Sequence, residues 1–225
     1  MANNFKMQKL VFFGMGADLL DVYYAVREIN AIKPTYEVLG YLGPNEVSEN
    51  LSGGLKYLGA ESLAKSMPED IRFYAMISYM NDNSQAEKRF KELGIHHDRY
   101  ETIIHPRAYV SQLSTLGYGT CIMEGSVVPP GVTVGNHAII LRGVTLSHDN
   151  AIGDHSCIAC GVTMSGYVRL KKFCWIGTGA VIVSGAVIGE GSLIGCGTVI
   201  RHDVPPYEVW VGNPGRFLRK VKREL

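Results

Sequence analysis

The chain has no long apolar run and no excess of charge of one sign. Its 225 residues include 22 Lys and Arg against 21 Asp and Glu, which gives a formal net charge of +1. Nucleic-acid-binding domains usually show a basic field that this balance does not provide. The apolar runs are interrupted well short of a membrane span, and the first residues lack the apolar core of a signal peptide. We therefore expect a cytoplasmic protein without a membrane span or a nucleic-acid partner.

The chain also lacks the cysteine pairs of a zinc site or a disulfide framework. Its five cysteines all lie within residues 110–205. Cys157 and Cys160 have the close spacing of a ligand pair, but no second pair accompanies them. We interpret all five as reduced thiols, which is the usual state of cysteine in the cytoplasm.

What the sequence does contain is an uninterrupted six-residue repeat. The 96 residues of 110–205 divide into sixteen hexads, and each hexad begins with Val, Leu, Ile or Met. The fifth position is small or modest in size, and it lies two residues before the next first position. Both side chains therefore point the same way along a strand. This repetition is the signature of a parallel β-helix, whereas a β-sandwich would need longer strands and less regular spacing.

If three hexads form one coil, equivalent positions of successive coils lie above one another, separated by about 4.7–4.9 Å. One outer face then carries an apolar stripe at the sixth positions, which predicts a partner surface. A closed homotrimer would bury this stripe most simply. The stripe consists of Cys121, Ile139, Cys157, Trp175 and Leu193.

Residues 1–95 alternate predicted strands with predicted helices. The strands are predicted over 8–16, 36–42 and 71–78, and the helices over 18–32, 61–67 and 84–93. This alternation predicts a small parallel α/β sheet. We expect residues 96–109 to link it to the β-helix. Residues 206–225 are expected to form a final strand and a capping helix that closes the solenoid.

The turn after the first predicted strand is a partial dinucleotide-type fingerprint. It reads Gly14-Met15-Gly16-Ala17-Asp18, and Leu19 stands where a third glycine is usual. Small residues allow a phosphate to approach a helix N-terminus closely. A phosphate-binding turn and a tight turn without a ligand both fit this segment.

The corners of the predicted β-helix must carry any chemistry, because its core is apolar. One corner reads Ser147-His148-Asp149, and a histidine held by a carboxylate is a common general base near neutral pH. At the equivalent corner one coil on, Gly166 leaves a backbone N–H accessible to a ligand oxygen. A solvated surface pair without chemistry is the alternative interpretation.

Two further histidines, His137 and His155, are separated by three hexads and should stack on one corner. Together with His148 they suggest a metal site. However, an inward-facing strand separates His148 from His155, and no pair has the close spacing of metal ligands. We therefore predict no metal.

Several of these motifs together resemble one known family. They are Ile104-His105-Pro106-x-Ala108, the hexads, the Ser-His-Asp corner, Met164-Ser-Gly166, and Asp203-Val-Pro205 followed by Gly212-Asn213-Pro214. The sequence resembles the hexapeptide-repeat sugar acetyltransferases, namely the bacillosamine and perosamine N-acetyltransferases and the sialic acid O-acetyltransferases. The resemblance implies a Rossmann-like N-terminal domain, a left-handed β-helix, and a homotrimer with active sites between subunits.

The resemblance also implies roles for individual residues at the acetyl-CoA site. His148 matches the catalytic base, Asp149 the acid that orients it, and Gly166 the glycine whose amide meets the acyl group. The other residues expected in the cofactor site are Thr178 and Cys196 along the pantetheine arm, with Cys157 and His155 near a second histidine of relatives.

A nucleotide-linked sugar is expected on the N-terminal domain. The residues implied are Gly14, Met15, Gly16, Asp18 and Gly43. Relatives usually have Gly-x-Gly-Gly-His-Gly in the first turn and an acidic pair where this chain has Gly43-Pro44. Both departures lie where the nucleotide would bind.

The sequence thus predicts acetyl transfer from acetyl-CoA to the amino group of a nucleotide-linked bacterial amino sugar. Such a reaction would serve the synthesis of lipopolysaccharide O-antigen or another surface glycan. O-acetylation of a sialic- or legionaminic-type sugar is the alternative. A non-catalytic β-helix binding protein and a γ-type carbonic anhydrase are two further classes, which acetyl-CoA binding and zinc analysis would distinguish.

Overall fold

The computed structural model describes residues 6–14 and 17–222. Within them, the N-terminal region is a parallel sheet with helices on both sides. Its strands are β1 (Gln8–Phe13), β2 (Tyr36–Leu42), β3 (Tyr57–Gly59) and β4 (Ile71–Ala75). Its helices are α1 (Ala17–Ile32), α2 (Glu49–Ser52) and α3 (Ser84–Leu93), with 3-10 helices at Glu61–Ser66 and His97–Arg99. None of the described helices has the length and hydropathy needed to cross a membrane.

The four strands run in the order β3-β2-β1-β4, and all pairs are parallel. The predicted α/β sheet is therefore confirmed. Central strand β1 has Leu10, Val11 and Phe12 fully buried, because both faces of a parallel sheet are covered. Helix α3 ends at Gly94, whose φ of 64° is readily adopted by glycine. Helix α2 and strand β3 were not predicted, since they lie in a short glycine-rich segment without a periodic pattern.

The β-helix has three faces, each built from strands of two residues. The covered face contains β5 (Ile103–Ile104), β8 (Cys121–Ile122), β11 (Ile139–Ile140), β14 (Cys157–Ile158), β17 (Trp175–Ile176) and β20 (Leu193–Ile194). The second face contains β6 (Tyr109–Val110), β9 (Val127–Val128), β12 (Thr145–Leu146), β15 (Thr163–Met164), β18 (Val181–Ile182) and β21 (Val199–Ile200). The third face contains β7 (Thr115–Leu116), β10 (Thr133–Val134), β13 (Ala151–Ile152), β16 (Arg169–Leu170) and β19 (Val187–Ile188).

The register confirms three hexads per coil. Ile140 pairs with Ile158, and Ile158 pairs in turn with Ile176, so each strand meets the strand three hexads along the chain. The first positions and the apolar fifth positions of the hexads form one continuous core, and the Ser, Thr and Asn residues at most of the other fifth positions are buried beside it. The left-handed β-helix expected from the sequence is confirmed.

Three corners connect the faces, and each takes a left-handed backbone conformation at the fourth hexad position. The glycine corner, between the covered and second faces, has Gly125, Gly143, Gly161, Gly179 and Gly197 there. The dyad corner, between the second and third faces, has Gly131, Asp149, Tyr167 and Gly185. The histidine corner, between the third and covered faces, has Gly119, His137, His155, Phe173 and Gly191. Positive φ is unfavourable for any residue with a Cβ, so the non-glycine positions need a separate explanation.

The apolar stripe is covered by the chain itself. Cys121, Ile139 and Cys157 are at most 5% exposed and share a cluster with Val22 of α1 and Tyr74 of β4. The expectation that a second copy covers this stripe is therefore wrong for these three residues. An apolar stripe in the sequence predicts that a surface is buried, but it does not predict which part of the chain or of an assembly covers that surface.

Ion pairs fasten α1 to the β-helix. Arg142 meets Asp21 at 2.7 Å, and Glu28 lies 3.2 Å from Arg107 and 3.4 Å from Nε2 of His105. His105 is 3% exposed, and its Nδ1 accepts the amide N–H of Arg107 at 3.1 Å. Its role is therefore structural.

The C-terminal segment corrects a second expectation. Strand β22 (Glu208–Val211) adds to β20 in parallel, and β23 (Arg216–Lys220) pairs antiparallel with β22. No helix occurs within residues 206–222, so the predicted capping helix is wrong there. The new edge of β22 offers unpaired backbone groups, and the basic strand β23 satisfies them while its own charged edge discourages further pairing.

Candidate active site

His148 and Asp149 lie on the dyad corner, in the turn between β12 and β13. Nδ1 of His148 is 2.8 Å from Oδ2 of Asp149. The φ of 58° at Asp149 belongs to the tight turn that places the two neighbouring side chains together. With Nδ1 bound to the carboxylate, Nε2 is left as the proton acceptor of the neutral ring. Both side chains are about half exposed, so an external group can reach Nε2.

Two glycines make room for this pair. A Cβ on Gly166 would lie 2.9 Å from both Cε1 and Nε2 of His148, and a Cβ on Gly131 would overlap Oδ1 of Asp149. The imidazole therefore sits directly against the backbone of the next coil, and the carboxylate against that of the preceding coil. Any larger residue at either glycine would displace its partner.

The backbone of Gly166 is arranged to donate. Its carbonyl accepts the amide N–H of Gly185 at 3.0 Å and the hydroxyl of Ser184 at 2.8 Å. Among the described residues, no acceptor is paired with its own N–H. This N–H therefore remains the candidate donor to a ligand oxygen beside His148.

Tyr167 completes the group, and sequence reasoning missed its significance. Its ring centroid lies 5.0 Å from that of His148, with the two rings at 88°. The residue has a φ of 61° and is 54% exposed. The only available sequence signal was a large residue at a fourth hexad position, where glycine is usual.

The same corner carries a second His-Asp sequence three coils further on, and its geometry differs. Oδ1 of Asp203 accepts the amide N–H of Val187 at 2.8 Å, and Nδ1 of His202 lies 3.3 Å from the backbone oxygen of Asp203. The carboxylate of Asp203 is thus occupied by the backbone. His202 and Asp203 do not repeat the arrangement of His148 and Asp149.

The residues predicted along the pantetheine arm lie elsewhere. Thr178 and Cys196 are exposed and stacked on the glycine corner, where Gly197 donates its N–H to the Thr178 carbonyl at 2.8 Å. The second face separates this corner from the dyad corner. One copy of the chain therefore does not place them beside His148.

Cys157 and His155 do not reach an external cofactor in this structure. Cys157 is 5% exposed beneath the N-terminal region, and His155 is 9% exposed on the histidine corner. Their expected contact with acetyl-CoA stays a prediction, and the structure places neither side chain beside the dyad. The spacing of three hexads between His137 and His155 predicts that these two residues stack. It does not predict how far either side chain is exposed to solvent.

The predicted stacking of His137 and His155 is confirmed. Their ring centroids are 5.2 Å apart, and Phe90 of α3 stacks on His137 at 3.8 Å. Burial lowers the pKa of His137 to about 3, with His155 and His97 adding to the effect. Burial likewise lowers the pKa of His155. No group of three or more potential metal ligands occurs among the residues that the structure describes.

At the N-terminal sheet, Gly14 and Gly43 lie together on the carboxyl edge. Gly14 donates its N–H to the Leu42 carbonyl at 2.7 Å, and a Cβ on Gly43 would lie 3.8 Å from Cα of Gly14. Met15 and Gly16 fall outside the described residues, as does the side chain of Asp18. Sites in open parallel sheets usually form at this edge, where the strand order reverses.

Two cavities open near this edge. One of about 240 Å³ is lined by Gly14, Met76, Tyr79 and the ion-paired Glu61 and Arg89. A larger one of about 760 Å³ lies between the Ser78–Gln85 segment and the cationic side chains of Arg219 and Lys222. Tyr79 lines both cavities, so they form neighbouring parts of one surface.

Comparisons with known proteins agree with this architecture. Residues 167–202 match the bacterial transferase hexapeptide (six repeats) family, while no curated protein sequence matches the chain. The acetyltransferase domain of PglB from Neisseria gonorrhoeae is 25% identical, with a TM-score of 0.79 over 94% of this chain and 100% of that domain. PerB from Caulobacter crescentus, in complex with CoA and GDP-perosamine, is 22% identical, with a TM-score of 0.79 over 95% and 99%. WeeI from Acinetobacter baumannii is 22% identical, with a TM-score of 0.72 over 93% and 99%.

Proposed function

We propose that this hexapeptide-repeat acyltransferase moves an acetyl group from acetyl-CoA to the amino group of a nucleotide-linked sugar. The resemblance predicted from the sequence motifs is confirmed by the structural match to the PglB acetyltransferase domain. This match extends over nearly the whole chain. That domain has also been solved in complex with acetyl coenzyme A, which supports acetyl-CoA as the donor. The PerB complex with GDP-perosamine supports the class of acceptor.

The observation that carries the proposal is the dyad at the edge of Gly166. Nε2 of His148 removes a proton from the acceptor amine as the nitrogen attacks the thioester carbonyl. Asp149 keeps the ring in the required tautomer and stabilises the imidazolium that forms. The amide of Gly166 donates to the oxyanion of the tetrahedral intermediate. Collapse of this intermediate breaks the C–S bond, and the CoA thiolate takes the proton from His148.

The position of the dyad favours an assembly. The dyad corner joins the second and third faces, so it lies opposite the covered face on which the chain's own N-terminal region packs. We propose a homotrimer in which the N-terminal edge of one copy presents the sugar to the dyad of a neighbour. The carboxyl edge near Gly14 and Gly43 would hold the nucleotide, with Arg219 and Lys222 as candidate phosphate ligands.

In the proposed homotrimer, the glycine corner of a neighbouring copy is the track along which the pantetheine arm reaches the dyad. Its fourth positions carry no Cβ, so a thin chain can approach the backbone closely beside Thr178 and Cys196. We further propose that the protein works in the cytoplasm, in the synthesis of a bacterial surface glycan.

Release of CoA thiol tests the proposal directly. Acetyl-CoA is offered with a panel of nucleotide-linked 3-amino and 4-amino sugars, and with free sialic-type acids alongside. We expect release with an amino sugar and loss of that release in His148→Ala. Release only with the free acids would assign O-acetylation instead. Failure to bind acetyl-CoA would favour a non-catalytic protein, and stoichiometric zinc with carbon dioxide hydration would favour a carbonic anhydrase.

A further inference from the structure

Tyr167 has an unfavourable backbone conformation that its surroundings do not explain. Six non-glycine residues of the described chain have positive φ: His137, Asp149, His155, Tyr167, Phe173 and Tyr207. Residues held in such strained backbone conformations cluster at active sites and ligand-binding sites.

Four of them are held by packing. His137, His155 and Phe173 are buried and stack in one column on the histidine corner. Tyr207 lies over Gly191 and donates its hydroxyl to Glu190. In each case, buried contacts or a hydrogen bond offset the strain of the backbone.

The two exposed members lie next to each other on the dyad corner. Asp149 is explained by its contact with His148, whereas Tyr167 is 54% exposed and its ring makes an edge-to-face contact with that same imidazole. A glycine would fit this turn without strain, as Gly131 and Gly185 do on the same corner. The aromatic ring of Tyr167 therefore gains little burial, and it lies where the acceptor must approach Nε2 of His148.

We propose that Tyr167 positions the acceptor, its ring packing against the apolar C–H face of a sugar ring while His148 takes the proton. The inference rests on the proposed acetyl transfer, and it assigns to the Tyr167 ring the surface that orients the acceptor. A flat aromatic surface suits a pyranose, because one face of such a ring presents C–H groups that pack on an aromatic ring. The ring, rather than the hydroxyl, carries the proposed contact, since Tyr167 already touches His148 through its ring.

Steady-state kinetics of Tyr167→Gly, Tyr167→Asn and Tyr167→Phe test the proposal, with the acceptor that the wild type uses. Glycine and asparagine both tolerate positive φ, so folding is retained. We expect the acceptor KM to rise about 3- to 10-fold in the Gly and Asn variants, and to change less than twofold in Tyr167→Phe. The KM for acetyl-CoA and the Tm should not fall. Tyr24→Ala, which removes another exposed tyrosine, is the matched control.

Three results would overturn the proposal. The first is an unchanged acceptor KM in Tyr167→Gly, and the second is a rise confined to acetyl-CoA. The third is loss of the assembly by light scattering, which would make the ring a subunit contact. A wild type without any transfer would instead remove the proposed function itself, so the two failures are distinguishable.

Discussion

The histidine corner and the dyad corner use the same backbone conformation for opposite purposes. On the histidine corner, His137 and His155 are buried beneath Phe90, and burial lowers the pKa of both rings. On the dyad corner, His148 is half exposed and bound to a carboxylate that keeps Nε2 available. Of the three histidines at comparable turns, His137 and His155 thus serve in packing, and His148 is a candidate base. Their neighbours, and not their residue type, decide the difference.

The largest expected effect is loss of the exposed base. His148→Ala should lower kcat by about 10²- to 10⁴-fold, the usual contribution of a general base. His202→Ala is the matched control, because His202 lies on the same corner with an aspartate that is bound to the backbone. Thiol release should persist in that control. Near-wild-type turnover of His148→Ala would remove the assignment of the base.

On the histidine corner, the largest effect should be on stability. Phe90→Ala removes the ring that stacks on His137 and meets Tyr100 at 5.2 Å, and should cost about 3–5 kcal/mol of the free energy of unfolding. Denaturant titration measures this loss, with exposed Lys88→Ala as the control on the same helix. An effect below about 1 kcal/mol would show that α3 is held by other contacts.

Gly166→Ala tests the close approach at the dyad. The new methyl group would lie 2.9 Å from His148 and should displace the ring, which lowers kcat by up to about 10²-fold. In the His148→Ala background there is no ring to displace, so the same substitution should have little further effect. Additive losses in the double variant would mean that Gly166 acts independently of the imidazole.

The buried histidines should make stability depend on pH. Because the folded pKa of His137 is about 3 and its ordinary value is 6.5, the unfolded chain binds the proton first. The contribution of His137 to stability should therefore be constant above pH 6.5 and fall toward pH 3, by up to about 1.4 kcal/mol per pH unit. The lowering of the His155 pKa is opposed by the negative charges of Asp154 and Glu87. It is strengthened by the positive charges of Lys91 and Lys172.

Denaturant titrations between pH 7 and pH 5 measure this slope. His137→Asn keeps a residue that tolerates positive φ and removes the titrating ring, so its slope should be flatter than that of the wild type. Equal slopes in the wild type and in His137→Asn would contradict the assignment.

The solenoid and its dyad could be predicted from the sequence because a strict repeat carries its own geometry. Every first and fifth position of a hexad points inward, so Ile122 and Ala138 could be assigned to the core without any tertiary information. The adjacency of His148 and Asp149 on a corner followed from the same count. Position within a repeat is a local property, which is why it was predictable.

What the sequence could not supply were the contacts between distant segments. The pattern marks Cys157 as one member of an apolar stripe, but only the fold reveals that the N-terminal region covers it. The basic segment 216–220 was expected to be helical, yet the open edge of β22 recruits it as a strand. Tyr167 stood out only once its exposure and backbone conformation were known together.

The covered face has a consequence for the order in which the protein can fold. Synthesis starts at the N-terminus at about 5–20 residues per second, so α1 is made well before the coils that contain Cys121, Ile139 and Cys157. During that interval the part of α1 that packs against the β-helix has no partner there, and a ribosome-bound chain should attract chaperones at this surface. Each coil, in contrast, needs only the coil next to it, and the solenoid can grow as it emerges.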